Sequence, residues 1–203
     1  MGKIGIFMGS FNPVHIGHLS MADEALLRYG LDKVVFVPCG DPYGRPPSDV
    51  PAKVRFEMLQ TVCVLDPRYV FSSIDVDKPG RMYASDVILA LRNEYPKDQL
   101  YLITGDDTLL DILMWKDSAR ILAQVHVLAF ARDPEACASS RKIAERLCDR
   151  YSADIEVIDF SERSVSAARL RALALTGHSF RYFVPDSVYG YICRHGLYGV
   201  GTD

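Results

Sequence analysis

Short, continuous apolar segments alternate with helical patterns along most of the chain, and this alternation restricts the fold more than any other feature. The segments that predict strands are 3–8, 33–38, 99–104 and 125–130, with weaker candidates at 69–74 and 154–160. Helical spacing of apolar residues predicts helices between and after them, at 16–29, 52–65, 83–94, 108–122, 135–149, 164–177 and 184–196. Strands that are apolar throughout are typical of a parallel sheet covered on both faces. We therefore expect an α/β fold with a doubly wound, mostly parallel sheet and a small C-terminal helical portion.

Composition excludes several classes of function. The 203 residues carry a formal net charge of -3 without a basic stripe, which argues against nucleic acid as a partner. The sequence has no run of 18 apolar residues, so a membrane-spanning helix is not expected. The five cysteines are odd in number and form no C-x-x-C pair, which argues against a disulfide framework or a structural zinc site. We expect one cytoplasmic domain over residues 1–203.

The polar motifs follow predicted strands. "GSFNPVHIGH", "PCGDPYGRPP", "GDDT" and "ARDP" come after 3–8, 33–38, 99–104 and 125–130 respectively. Ligands of doubly wound sheets bind beyond the carboxyl ends of the strands, so these motifs are predicted to meet at one edge. The Pro- and Gly-dense stretch 38–51 is long enough to form a lid over a substrate.

His15 and His18 stand where the first strand passes into the first helix. The segment is neither a P-loop nor a G-x-G-x-x-G fingerprint, yet a helix N-terminus after a glycine turn favours an anion. Imidazoles at i and i+3 can face one side, and Gly17 between them permits close approach of a ligand or backbone. Two alternatives remain: His15 as a turn cap with His18 packed behind it, and a metal site, which lacks further ligands in the motif.

These motifs are similar to those of a known family. "GSFNPVHIGHL" resembles the H-x-G-H motif of nucleotidyltransferases, and within them of the nicotinate-nucleotide adenylyltransferases of bacterial NAD synthesis. Four later segments also resemble segments of the same family and follow in the same order: "ITGDDTLLDILMWKD", "ARDP", "SVSAARLRAL" and "FVPDSVYGYICRHGLYG". The resemblance covers almost the whole chain and implies a Rossmann-like nucleotidyltransferase fold, with the helices from about residue 164 completing an ATP site.

The resemblance also implies a reaction: adenylyl transfer from ATP to nicotinate mononucleotide, giving deamido-NAD and pyrophosphate in NAD biosynthesis. Magnesium is expected with ATP, and no metal-ligating residue is predicted. The attacking phosphate is already ionised, so positioning and hydrogen-bond donors suffice for catalysis. The residues carried over are His15 and His18 as catalytic groups; these two with Gly9, Ser10, Phe11, Asp107, Ser166 and Arg171 for ATP; and Asn12, Arg45, Tyr83, Ala84, Trp115 and Arg132 for the mononucleotide.

Several of these residues have plainer interpretations. Asp107 could cap a helix over 108–113, Trp115 could belong to the core, and "SVSAARLR" could be a capped helix with a basic face. Gly44 and Ala84 depart from the family pattern, so nicotinamide mononucleotide, or both mononucleotides, stays an alternative substrate. Ala168 stands where the family's phosphate-binding helix usually has Thr, a departure that bears on ATP binding. A non-catalytic nucleotide sensor and an enzyme with a non-pyridine acceptor also stay open, as does a homo-oligomer.

Overall fold

The described residues form a sheet of six strands, and all of its pairings are parallel. The computed structural model describes residues 1–40, 48–62, 64–77, 82–160 and 165–201. Its strands are β1 (Lys3–Gly9), β2 (Lys33–Pro38), β3 (Tyr69–Phe71), β4 (Gln99–Gly105), β5 (His126–Ala131) and β6 (Asp154–Asp159). They lie in the order β3-β2-β1-β4-β5-β6, which is the doubly wound arrangement. The predicted fold class is confirmed.

Helices cover both faces of the sheet. They are α1 (Ile16–Tyr29), α2 (Ala52–Gln60), α3 (Ala84–Glu94), α4 (Asp106–Asp111), α5 (Ser118–Leu122), α6 (Pro134–Tyr151), α7 (Ala167–Leu175) and α8 (Asp186–Arg194). Successive strand residues point to opposite faces, so β1 sends Phe7 into one core cluster and Ile6 into the other. The Phe7 cluster includes buried residues of α1, α2, α7 and α8, and the Ile6 cluster includes buried residues of α3, α5 and α6. No helix in the described part of the chain is long and apolar enough to cross a membrane.

Two predicted helices differ most from the observed ones. The helix predicted at 52–65 ends at Gln60, because the hydroxyl of Thr61 donates to the Met58 carbonyl (2.8 Å) and closes the last turn. The pattern at 108–122 is broken into α4, a 3-10 turn and α5. Trp115 there has extended backbone and Asp117 a left-handed conformation (φ 58°). Of the 38–51 loop, residues 41–47 lie outside the described residues.

Candidate active site

A cavity of about 930 Å³ opens at the carboxyl ends of β1 and β4, where the strand order reverses. Such switch points are the usual ligand crevices of doubly wound sheets, because the crossovers on either side leave in opposite directions. Segments after β1, β2, β4 and β5 line it, together with the N-termini of α1, α3 and α7. The predicted convergence of the motifs at one edge is confirmed.

His15 and His18 cap the N-terminus of α1 reciprocally. The His18 backbone N–H donates to His15 Nδ1, and the His15 backbone N–H donates to His18 Nδ1, both at 3.3 Å. The rings stack with centroids 3.6 Å apart, and both line the cavity. A neutral ring whose Nδ1 accepts carries its proton on Nε2. Capping therefore engages Nδ1 of each ring, and Nε2–H of each ring is left as a donor.

Burial keeps both imidazoles neutral. It lowers the pKa of His15 to about 4 despite the opposing effect of a backbone hydrogen bond. The pKa of His18 is lowered well below its ordinary value, first by burial and second by the repulsion that a protonated His15 would exert on it. His15 is only 4% exposed. At neutral pH, the site presents two uncharged donors rather than two cations.

Gly17 gives the His15 ring the space that it occupies. A Cβ at position 17 would lie 3.1 Å from His15 Nδ1 and 3.2 Å from Val165 Cβ. Any larger residue would push against both the ring and the segment before α7. The close approach predicted at Gly17 for a ligand or another backbone is made instead by side-chain atoms of His15 and Val165.

Phe11 and Asn12 do not line the cavity. The Phe11 ring is fully buried and packs edge-on against Phe7, His18 and Phe36. Asn12 is 7% exposed, and its side chain donates to Ser48 Oγ (2.7 Å) and accepts from the Tyr198 hydroxyl (2.6 Å). The Asn12 side chain is therefore engaged within the protein, behind the cavity wall.

Asp107 and Arg132 lie together at the ends of β4 and β5. Arg132 forms two hydrogen bonds to the Asp106 carboxylate, at 2.8 and 3.4 Å, and lies 3.4 Å from Asp107. These carboxylates raise the pKa of Arg132, Asp106 most of all. Gly105 is the N-cap of α4, so Asp107 lies inside the helix and its N-cap interpretation is wrong.

A mixed aromatic and cationic wall closes the side near α3. Trp115 is partly buried, lines the cavity and packs at the edge of the Ile6 core cluster. Tyr83 and Ala84 line the same cavity at the start of α3. Lys116 Nζ lies 4.7 Å from the centroid of the Tyr83 ring, which is a cation–π distance.

The N-terminus of α7 forms the opposite wall. Ser166 is its N-cap, and Ser166, Ala168 and Arg171 all line the cavity. Arg171 Nη1 donates to the Asn12 carbonyl at 2.7 Å, which ties α7 to the turn after β1. A helix N-terminus together with a guanidinium group suits an anionic ligand.

Several lining or supporting residues escaped prediction, among them Arg55, Asp75, Lys116 and Tyr198. Arg55 precedes Met58 and Leu59 by three and four residues and lies with them on the buried face of α2. This helical spacing was the sequence signal that Arg55 is buried. Lys116 directly follows Trp115. Arg45 lies outside the described residues. Within the described residues, no group of three or more His, Cys, Asp or Glu side chains could hold a metal ion.

Comparisons with known proteins fit this site. The pattern of the cytidylyltransferase-like family matches residues 6–173. A protein of Lachnoclostridium phytofermentans described as a probable nicotinate-nucleotide adenylyltransferase is 31% identical over 98% of this chain and 100% of its own length. A Thermus thermophilus protein of the same description is 34% identical over 97% and 99%. The chain belongs to the nicotinate-nucleotide adenylyltransferase family.

A solved member of this adenylyltransferase group has the same fold. Plasmodium falciparum nicotinic acid mononucleotide adenylyltransferase, solved in complex with NaAD, superimposes with a TM-score of 0.78 over the full length of both chains, at 16% identity. At that identity, the similarity concerns the fold. In the present adenylyltransferase, all of the predicted site residues line the cavity except Phe11, Asn12 and Arg45.

Proposed function

We propose that this protein transfers the adenylyl group of ATP to nicotinate mononucleotide, releasing pyrophosphate and forming deamido-NAD for NAD biosynthesis in the cytoplasm. The observation that carries the proposal is the pair of neutral imidazoles at the N-terminus of α1, each with Nδ1 engaged and Nε2–H left as a donor. Membership of the family supports the same reaction. Residues 1–203 act as one nucleotidyltransferase domain, with α7 and α8 completing the ATP site.

The triphosphate lies between the N-termini of α1 and α7. His15 and His18 donate to its oxygens through Nε2–H, with His18 at the α-phosphate, and the backbone amides of Gly9 and Ser10, which line the cavity, complete the cradle. Ser166 and Arg171 hold the β- and γ-phosphates. The imidazoles are neutral and already oriented by the capping hydrogen bonds, so no rearrangement is needed as charge builds up in the transition state.

Asp107 accepts from the ATP ribose, and Trp115 stacks on the pyridine ring. Tyr83, Ala84, Arg132 and Arg45 contact the mononucleotide. Its phosphate attacks the α-phosphorus in line, and pyrophosphate leaves on the opposite side. No general base is required, because the attacking phosphate is ionised. Mg²⁺ bound with ATP would neutralise phosphate charge, and it seldom needs an all-protein cage.

Lys116 favours nicotinate over nicotinamide at this site. Lys116 follows Trp115 in the sequence, and its ammonium group lies over the Tyr83 ring. Trp115 and Tyr83 line the part of the cavity assigned to the mononucleotide. A nearby positive charge attracts a carboxylate and does not attract a neutral carboxamide. The nicotinamide substrate stays the second candidate because Ala84 lacks a hydroxyl at the mononucleotide wall.

The test mixes the protein with ATP, Mg²⁺ and either mononucleotide, and measures pyrophosphate. We expect rapid release with nicotinate mononucleotide and much slower release with nicotinamide mononucleotide. His18→Ala removes a donor at the transition state, so turnover should fall about a hundredfold or more while the fold is kept. ATP binding without pyrophosphate release from either substrate would indicate a sensor instead.

A further inference from the structure

Arg55 is a buried cation that the proposed reaction does not use directly. It lies in α2, is 1% exposed, and is the largest of the fully buried side chains in the described part of the chain. A guanidinium group taken out of water is costly unless its N–H groups are satisfied. Its partners therefore indicate what the protein gains from this position.

Arg55 binds backbone carbonyls from three segments that meet beside the cavity. Nε donates to the Val50 carbonyl (3.1 Å), Nη2 donates to those of Cys39 (2.7 Å) and Gly40 (3.1 Å), and Nη1 donates to that of Ser10. Ser10 follows β1, Cys39 and Gly40 follow β2, and Val50 precedes α2. Ser10 and Cys39 line the cavity.

Asp75 holds the other side of the Gly40 peptide. Its carboxylate accepts from the Gly40 N–H at 2.8 Å, and a Cβ at position 40 would lie 3.1 Å from the Asp75 carbonyl. Asp75 is 8% exposed and lines the cavity. Burial raises its pKa, and the hydrogen bond from Gly40 and the charge of Arg55 oppose that rise. Arg55 and Asp75 together fix the chain after β1 and β2.

We infer that Arg55 is the positioning residue of the turn after β1 that binds the triphosphate. The inference rests on the proposed function of the cavity. The peptide group is planar, so holding the Ser10 carbonyl fixes the plane of the Ser10–Phe11 peptide and with it the backbone of Ser10, which lines the cavity. The guanidinium group remains charged at every accessible pH, and at this depth its field is weakly screened. It acts on ATP through the backbone and through its charge, without contacting the nucleotide.

The competing explanation is that Arg55 only anchors α2, and the chain offers a matched control for it. Arg92 also donates to three backbone carbonyls, those of Tyr95 (3.3 Å), Asp98 (2.7 Å) and Gln124 (2.7 Å). These carbonyls lie before β4 and β5, at the opposite end of the sheet from the cavity. Arg92→Lys therefore makes the same chemical change, with the same kind of lost hydrogen bonds, far from the substrates.

The experiment first confirms that the wild-type protein catalyses the proposed reaction, and then compares Arg55→Lys with Arg92→Lys. A lysine ends in a single nitrogen and cannot replace the separate donor nitrogens of a guanidinium group, so both variants should lose thermal stability. Displacing a catalytic contact by about 1 Å can cost on the order of a hundredfold. We expect kcat/KM for ATP to fall by about that factor in Arg55→Lys, with the KM of the mononucleotide changing less than about threefold. Arg92→Lys should keep both constants within about twofold.

Equal catalytic constants in the two lysine variants would overturn the inference. If Arg55→Lys does not fold, Gly40→Ala supplies the second test, since it displaces a peptide that Arg55 holds while keeping the buried charge. Unchanged kcat/KM for ATP in that variant would likewise overturn it. If the wild type turns over neither mononucleotide, the proposed function fails separately, and ATP affinity becomes the readout, again expected to weaken in Arg55→Lys and not in Arg92→Lys.

Discussion

In the proposed reaction, His15 and His18 use opposite nitrogens of the same rings for structure and for chemistry. Nδ1 accepts from a backbone amide at the start of α1, which leaves Nε2–H as the proposed donor to a ligand in the cavity that both residues line. A serine or aspartate cap would satisfy the amide equally well but would not place a second donor beyond it. The sequence predicted the pair and its common face, because both follow from local spacing. It could not separate capping from the proposed catalytic role, since each ring can serve both.

Gly17→Ala tests how tightly the His15 ring is held. The added Cβ would meet His15 Nδ1 at 3.1 Å and Val165 Cβ at 3.2 Å, so the ring or the segment before α7 must move. We expect kcat to fall roughly tenfold or more, because small displacements at a reacting centre are costly. The control is Gly190→Ala in α8, where a Cβ meets nothing within 4 Å. That variant should gain about 0.5–1 kcal/mol of stability and keep its activity; an equally active Gly17→Ala would refute the tight packing.

The lowered pKa of His15 predicts a loss of stability in acid. Between about pH 6.5 and 4, the unfolded chain protonates this imidazole and the folded chain does not. Stability is therefore fully present above pH 6.5 and falls as the pH drops to 4, by about 3 kcal/mol for a shift of this size. Urea unfolding at pH 7 and pH 4.5 measures it. In His15→Asn the decrease should be smaller by up to about that amount; an identical decrease would mean that other groups cause it.

At the scale of elements, helix ends marked by local signals were predicted well and those set by packing were not. Helix α1 begins after His15 and ends at Gly30, whose left-handed conformation (φ 61°) stops it as expected. The break between α4 and α5 has no such marker. Leu109, Ile112, Ile121 and Leu122 all bury against one core cluster, so helical periodicity continues across a stretch that is not a helix.

Tyr198→Phe tests the link between the last 3-10 turn, Leu197–Gly199, and the turn after β1. The Tyr198 hydroxyl donates to Asn12 Oδ1 at 2.6 Å, across 186 residues of sequence. Its removal leaves the buried amide oxygen of Asn12 without that donor, so the free energy of unfolding should fall by about 1–2 kcal/mol. Because Asn12 also accepts from Arg171, a weaker affinity for ATP is expected too. Tyr182→Phe is the control, as Tyr182 is 87% exposed and should be neutral.

At the scale of the whole molecule, the strand order explains why scattered motifs form one site. Alternating strands and helices predicted a doubly wound sheet, and the rule for such sheets placed the ligand at the carboxyl edge. Which strands are neighbours depends on pairings far apart in the chain, such as β1 with β4. Arg55, Asp75 and Tyr198 were missed for the same reason. Each acts through a backbone or side-chain group brought near by the fold, and no short motif records that contact.

The C-terminal helices are part of the same core, and this leads to a prediction about truncation. Phe180, Val188 and Ile192 are buried in the cluster that contains Phe11 and Met58, and Tyr191 donates to Glu57 of α2 at 2.8 Å. Each such apolar side chain contributes roughly 1.5–3 kcal/mol on burial, so losing several removes much of the 5–15 kcal/mol that stabilises a typical domain. A chain ending at Gly177 should therefore show no cooperative thermal transition and should be digested rapidly by protease. A truncated chain that melts cooperatively and still binds ATP would show instead that residues 178–203 form a dispensable appendage, contrary to the proposed single domain.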